Sequence, residues 1–462
     1  MSFSLNEKQR EATRHEKGPL LILSGPGSGK TTTITHKISN LIKSGLNPSR
    51  IVAVSFTRKA ANELKNRVSG IVGHSATKLR CGTLHSICLS VLRELCPGNN
   101  FKVIDDYESI NILTDIALDH GIAIPGKDIL IDISKLKAWM ITPEEAIERS
   151  QSEFEKTLGE IYYDYEYYLT SKKLLDFDNI IIELIKICEV PKYQDKASKM
   201  FDYLLVDEYQ DINYAQGRAI DLFLKKHKNI AVVGDDAQAI YSFRGANLKE
   251  ILNFEKRYFG THKIVMDLNY RSTSNIVEAS TRLINNNVIG FKKHLKAVSE
   301  EEGEPIYIAR RYSTEDEADY ITKLIMCMEG TIGILVRVYW LIPSIEEALK
   351  RKHIKYKILR DISRNLDEEN DNEETKVFIS TIHAAKGLEF DNVIIAGAED
   401  GIIPHYLSLD GYGDIEEERR LFYVALTRAK KQIVITYCCN RKRWGIPSRF
   451  IEEIPDKYKE EL

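Results

Sequence analysis

Short apolar runs, each closed by polar or turn residues, recur along the chain. The first set is LLILSG (20–25), IVAVSF (51–56), YLLVDE (203–208), IAVVGD (230–235) and KIVMDL (263–268). A second set is PIYIAR (305–310), GILVR (333–337), VFISTI (377–382), VIIAG (393–397) and QIVITY (432–437). Near-continuous Val/Ile/Leu runs of this length suit strands buried on both faces of a parallel sheet, because a solvated face would bring a polar residue to every second position. Segments with helical spacing lie between them, such as AANELKNRV (60–68) and HSICLSVLREL (85–95). The alternation predicts an α/β protein, and the two sets predict two α/β cores in tandem.

The pattern changes over 97–200, which is strand-poor, mostly helical and punctuated by Pro97, Pro125, Pro143 and Pro191. We expect a helical subdomain inserted in the first core. The first core would then comprise 1–96 and 201–275, and the second 276–462. Inside the insertion, IYYDYEYYL (161–169) reads as an amphipathic helix that packs some tyrosines and exposes others, with stacking on nucleic-acid bases as the alternative. The stretch DISRNLDEENDNEETK (361–376) is acidic, has no apolar period and is expected to be a solvated linker.

Composition narrows the function. The chain has 462 residues and a formal net charge of −3, so nucleic-acid binding would need a local basic groove. Its seven cysteines form no CxxC pair, which speaks against a disulfide framework, a zinc site or an iron–sulfur cluster and fits a reducing, cytoplasmic setting. The N-terminal stretch is polar with mixed charge, unlike a signal peptide, and no apolar run reaches membrane-spanning length.

Chemistry concentrates at strand ends. In LLILSGPGSGKTTT (20–33), a glycine-rich turn follows a strand and precedes a helix. Backbone N–H groups there can surround phosphates, Lys30 can reach the outer phosphates, and the Thr31 hydroxyl can bind Mg²⁺. Ser24 stands where the strict pattern has glycine. YLLVDEYQD (203–211) supplies a second strand ending in acid. Asp207 would hold the metal and Glu208 would orient and deprotonate the attacking water, a weak signal alone and a strong one beside Lys30. VVGDDAQAIYSFRGA (232–246) mixes two chemistries: acids and Gln238 suit a phosphate and its metal, whereas Tyr241, Phe243 and Arg244 suit the faces of bases.

These motifs, with LNEKQREA (5–12), FTRKAANELKNR (56–67), GTLHS (82–86), LLDFDNII (174–181), LNYRS (268–272), TIHAAKGLEF (381–390) and EEERRLFYVALTRAKKQI (416–433), stand in the order seen in UvrD/Rep/PcrA-type superfamily 1 helicases, which the chain resembles over nearly its whole length. The resemblance implies two tandem RecA-like parallel-sheet cores with a helical insertion in the first. It also implies ATP as nucleotide and Mg²⁺ as metal. It assigns Gln9 to the adenine edge, Tyr270 to the adenine face and Glu389 to the ribose. Ser24, Gly25, Pro26, Gly27, Ser28, Gly29, Lys30, Thr31 and Thr32 would hold the phosphates, Gln238 would sense the γ-phosphate, and Arg271 and Arg428 would reach it. Phe56, His85, Tyr241, Phe243, Arg244 and His383 match positions that touch single-stranded DNA. The activity implied is an ATP-dependent DNA translocase or helicase of 3′-to-5′ polarity, with single-stranded and tailed duplex DNA as partners. A DNA-sensing ATPase subunit that regulates a partner nuclease, in repair or anti-phage defence, is the alternative.

Four departures qualify the resemblance. Phe243 replaces a common tryptophan, Thr32 an arginine that covers adenine, and Ala384 a serine. Relatives carry a large helical insertion ahead of TIHAAKGLEF, where this chain offers only 361–376. That puts processive unwinding by a monomer in doubt while leaving the ATPase intact. The stretch 434–462 is too short for a fused nuclease domain.

Overall fold

The computed structural model describes residues 5–99, 101–359, 375–411, 413–441 and 445–462. The acidic stretch 361–376 lies outside the described residues except for its last two positions. The chain divides into two compact units. One comprises Met1–Leu23, Thr31–Gly234 and Tyr241–Ile264, and the other Ser24–Lys30, Asp235–Ile240 and Val265–Leu462. Among the described residues, no helix is long and apolar enough to cross a membrane.

The first unit is built on a six-stranded sheet, in the order Arg80–Gly82, Ile51–Val54, Tyr203–Val206, Ile230–Gly234, Pro19–Ser24 and His262–Met266. The pairings Leu20↔Ala231, Leu205↔Ala231 and Ala53↔Leu205 are parallel. Every residue of the four inner strands is buried, as expected for apolar runs covered on both faces. The edge strand His262–Met266 alternates instead, with Ile264 and Met266 buried. Arg80–Gly82, at the other edge, is only half-buried and has no apolar run to betray it in the sequence.

Between Val103 and Tyr203 the unit is helical apart from the short strand Leu174–Leu175, which pairs with Lys102–Val103. Capping explains where the helices begin. Asp105 accepts the Glu108 N–H at 2.8 Å and starts Asp106–Asp119, and Ser152 caps Glu153–Lys172. Leu113, Ile129, Ile133, Ile161, Tyr165 and Leu169 form the core of this part. The tyrosine run divides by helix face: Tyr162 and Tyr165 are buried, while Tyr163, Tyr167 and Tyr168 are exposed.

One buried ion network fixes that helical part. Lys137, at the end of helix Gly126–Ala138, lies 2.6 Å from both Asp176 and Glu166. Asp176 also caps helix Phe177–Ile187 through the Asn179 N–H (2.7 Å) and accepts the Tyr165 hydroxyl (3.2 Å). Burial disfavours the ammonium, but Asp176 and Glu166 outweigh it and hold the lysine pKa above its ordinary value. Asp176, the first acid of LLDFDNII, is thus a structural hub.

The second unit carries a seven-stranded parallel sheet, ordered Tyr356–Leu359, Val377–Thr381, Ile332–Val336, Phe390–Ala396, Ala429–Cys438, Ile306–Arg311 and Lys459–Glu461. All ten apolar runs of the sequence are strands, and the two parallel sheets make the mixed α/β fold expected of tandem RecA-like cores. Ile334, Ile379 and Ile394 lie at the centre of the second core, with Ile345 and Leu349 of helix Ile342–Arg351 packed on them. Helix Ile415–Leu426 starts at the Asp414 cap with three glutamates in its first turn, which suits the positive helix N-terminus. Its last turns, Arg420–Leu426, are wholly buried.

Candidate functional site

The glycine-rich turn joins strand Pro19–Ser24 to helix Lys30–Lys43. Gly27 (φ 68°) and Gly29 (φ 81°) adopt left-handed backbone that favours glycine. A Cβ on Gly25 would stand 2.5 Å from Leu295 Cδ2, and one on Gly27 would stand 2.7 Å from Arg271 Cβ, so bulk is excluded there. Three carbonyls of the turn are engaged by protein donors. The Ser28 hydroxyl donates to Gly25 (2.7 Å), the Asn269 amide to Pro26 (2.8 Å) and the Tyr270 N–H to Gly27 (2.8 Å). An anion would therefore meet amide groups at the head of the helix, and the turn fits a nucleotide phosphate chain. Thr31 and Thr32 are half-buried in the first turn of that helix.

In the first unit, Asp207 and Glu208 follow strand Tyr203–Val206. The Asp207 carboxylate accepts the Glu208 N–H at 2.9 Å, and Gln210 donates to Glu208 Oε2 at 2.6 Å. Glu208 has φ 51°, a left-handed conformation that a side chain-bearing residue rarely adopts. Such backbone persists where surrounding structure enforces it, commonly at functional sites. Acid oxygens at a strand end are the right donors for a hydrated Mg²⁺. Gln9 is buried and closes a capping box with Asn6: its Oε1 accepts the Asn6 N–H at 2.9 Å.

The second unit assembles a different group around Gln238. The Gln238 Nε2 donates to Asp235 Oδ2 at 2.8 Å, its carbonyl accepts from Lys386 Nζ at 2.8 Å, and its Oε1 lies 3.5 Å from Arg428 Nη2. Arg428 is 2% exposed and also donates to the carbonyls of Val424 and Leu388, both at 3.1 Å. Arg271 pairs with Glu389 (2.8 Å) and donates to the Thr427 carbonyl (3.1 Å). Glu389 also pairs with Lys430 at 2.8 Å. Burial works against the Glu389 carboxylate, but Lys430 and Arg271 prevail and hold its pKa below the usual range. Tyr270 leaves its ring 46% exposed.

Asp235 and Asp236, the two acids of this motif, are held by a lysine of the chain. Lys293 bridges them at 2.8 and 2.5 Å. Asn269, Lys293, Lys386 and Arg420, whose Nε donates to the Ala239 carbonyl at 3.1 Å, are the residues that motif reading missed. Asn269, Lys386 and Arg420 lie inside the motifs LNYRS, TIHAAKGLEF and EEERRLFYVALTRAKKQI, whereas Lys293 sits in the polar stretch FKKHLKA with no signal of its own.

In the first unit, Phe56 and Tyr241 stack with ring centroids 5.4 Å apart and planes 12° from parallel. Phe243 tilts against Tyr241 at 6.0 Å, and the Arg244 guanidinium lies over both rings at 5.5 and 5.6 Å. Phe56 (42% exposed) and Phe243 (45%) offer open faces, while Tyr241 (7%) is covered. His85, in the first turn of helix Leu84–Leu95, meets Phe177 edge-on at 6.4 Å. His383 is half-buried and belongs to the second unit.

Among the described residues, Glu317, Glu399 and Cys438 converge as metal-ligand types. The Arg441 guanidinium fills that position, donating to Glu399 at 2.8 Å, to Cys438 Sγ at 3.0 Å and to Glu317. The cluster is an internal ion network.

A phosphate-binding turn, an acid pair at a second strand end and an arginine-backed glutamine, on two parallel sheets, define a P-loop nucleotide-binding protein. The chain belongs to the UvrD/Rep helicase family: the UvrD/REP helicase N-terminal domain matches residues 5–259. The UvrD-like helicase C-terminal domain matches 264–364 and 357–440, two pieces that meet where relatives were expected to carry their insertion. The ATP-dependent DNA helicase PcrA of Staphylococcus aureus (strain MRSA252) is 27% identical, with 99% of this chain and 87% of that protein covered. PcrA of Staphylococcus epidermidis (strain RP62A) is 28% identical over 98% and 86%. The first alignment spans 634 positions against a chain of 462 residues, so the relative carries stretches with no counterpart here.

Proposed function

We propose that the chain is an ATP-dependent DNA helicase of PcrA/UvrD type, and that it moves 3′ to 5′ along single-stranded DNA. The observation that carries this reading is the turn 235–244. It presents a γ-phosphate amide, Gln238, backed by Arg428, and three residues later begins the aromatic and arginine platform of Tyr241, Phe243 and Arg244. Gln238 and Tyr241 are three positions apart in the chain, so a change at the amide has a short stretch of backbone to cross before it reaches the platform.

In this reading Lys30 and the turn 24–29 bind the ATP phosphates, Gln9 and Tyr270 take the adenine, Glu389 the ribose, and Thr31 and Asp207 the metal. Mg²⁺ would neutralise charge on the transferring phosphate. Glu208 orients and deprotonates the attacking water. Arg271 and Arg428 stabilise the charge that develops on the γ-phosphate. Phe56 and Phe243 stack on bases, and Arg244, His85 and His383 line the strand's path.

The test is ATP turnover with and without single-stranded DNA, together with strand displacement on 3′-tailed and 5′-tailed duplexes. DNA-stimulated turnover and displacement from the 3′-tailed substrate, both lost in Lys30→Ala, are expected. Strong DNA-stimulated turnover without displacement favours a translocase that does not unwind, or the second reading, a DNA-sensing ATPase that controls a partner nuclease. No turnover under any condition excludes both.

A further inference from the structure

We propose that Lys293 is a positioning residue for ATP hydrolysis: by bridging Asp235 and Asp236 it holds the Gln238 amide with its oxygen turned toward Arg428. The inference rests on the reading of Gln238 and Arg428 as phosphate-facing groups.

Lys293 is buried in the polar stretch that follows helix Ser274–Ile284, and its main chain is clamped. Its N–H donates to Asn285 Oδ1 at 2.8 Å, and Asn285 Nδ2 donates back to its carbonyl at 2.9 Å. The ammonium is thereby delivered from a fixed backbone. It meets Asp235 Oδ1 at 2.8 Å and Asp236 Oδ1 at 2.5 Å. The second oxygen of Asp236 accepts the Phe291 N–H at 2.8 Å, so this strap holds Asp236 at both oxygens. The second oxygen of Asp235 accepts Gln238 Nε2 at 2.8 Å.

The consequence lies in the two ends of an amide. An ionised carboxylate only accepts hydrogen bonds, so Asp235 selects the NH₂ end of Gln238 and the oxygen must face the other way. There it finds Arg428 Nη2 at 3.5 Å. The selection holds only while Asp235 stays charged, and two adjacent buried carboxylates stripped of the cation that bridges them favour uptake of a proton by one of them. Burial opposes the Asp235 charge, but Lys293 and then Lys30 overcome it, and its pKa lies below the ordinary value. A protonated Asp235 could donate to Gln238 Oε1 and turn the amide around, presenting NH₂ to a guanidinium that cannot accept from it.

The experiment measures DNA-stimulated ATP turnover and thermal unfolding for the unaltered chain, Lys293→Met, and Lys293→Met combined with Asp236→Asn. Lys293→Met is expected to lower kcat at least about tenfold, with the ATP KM within about threefold of the unaltered value, because the lost effect is on the transition state. Adding Asp236→Asn leaves one carboxylate to stay ionised, and should recover kcat by at least about threefold. A turnover loss that merely follows a loss of folded protein, a KM rise equal to the kcat fall, or no recovery in the double variant overturns the proposal. An active unaltered chain with an unchanged Lys293→Met variant overturns the role of Lys293 alone. An inactive unaltered chain overturns the ATPase reading with it.

Discussion

Phe56 lies over Tyr241 in a stacked pair, centroids 5.4 Å apart, and its exposed ring roofs a tyrosine that is itself almost wholly covered. The outward aromatic faces of this platform are therefore Phe56 and Phe243, with Tyr241 as their support. A base stacked on an aromatic ring contributes about 1–3 kcal/mol. Phe56→Ala and Phe243→Ala should each weaken single-stranded DNA binding by about 5- to 150-fold in fluorescence anisotropy titrations. DNA-free ATP turnover should change little, and Phe243→Trp should tighten binding. Equal loss of DNA-free turnover in Phe243→Ala would remove it from the strand path.

The two arginines should fail in different ways. Arg271 pairs with the half-exposed Glu389 and donates to one carbonyl, that of Thr427, so Arg271→Ala should cut turnover by roughly 10³-fold or more, as for an arginine supplied to a transferring phosphate, at a smaller cost in stability than Arg428→Ala. Arg428 is buried and satisfies the carbonyls of Leu388 and Val424. Arg428→Ala should lose turnover and also about 1–3 kcal/mol of stability, because those carbonyls lose their donor. Urea unfolding beside steady-state kinetics separates the two.

Lys137 provides a test of the helical part alone. Removing one partner of a buried ion pair leaves a buried charge uncompensated and costs about 3–5 kcal/mol. Lys137→Ala should lower the urea midpoint accordingly, since Asp176 and Glu166 would face each other without the ammonium. A change below about 1 kcal/mol would show that solvent reaches this cluster.

His85 should act on DNA as a neutral group. Burial pulls its pKa down from 6.5 to about 4, against the opposing effect of Asp176. The unfolded chain therefore takes up this proton first on acidification. Stability linked to His85 is fully present above pH 6.5 and is lost as pH falls toward about 4. His85→Gln should flatten the fall in urea stability across that window. The same variant should weaken DNA binding without altering its salt dependence at pH 7, because a neutral imidazole releases no counterion.

The tandem α/β architecture was legible because its strands are buried on both faces, and burial writes itself as unbroken apolar runs such as LLILSG and VIIAG. The edge strands Arg80–Gly82, Tyr356–Leu359 and Lys459–Glu461 left no such trace. Their backbones pair with a neighbour while their side chains stay partly solvated, so composition is free to vary. The phosphate-binding turn was legible for a related reason: left-handed backbone at Gly27 and Gly29, and close approach at Gly25 and Gly27, admit little but glycine.

By itself, then, the sequence determined what local geometry and burial period demand: two parallel sheets, a glycine-rich turn ahead of a helix, an acid pair at a strand end, and the family order of motifs. Only the tertiary structure decided which charges meet. Lys293 stands more than fifty positions from the aspartates it bridges, and nothing in FKKHLKA distinguishes it from the solvated lysines around it. Tyr241 and Phe243 look alike in sequence, yet one ring is covered by Phe56 and the other is open. Pairing of buried charges and exposure of rings depend on contacts distant along the chain, and no local pattern encodes them.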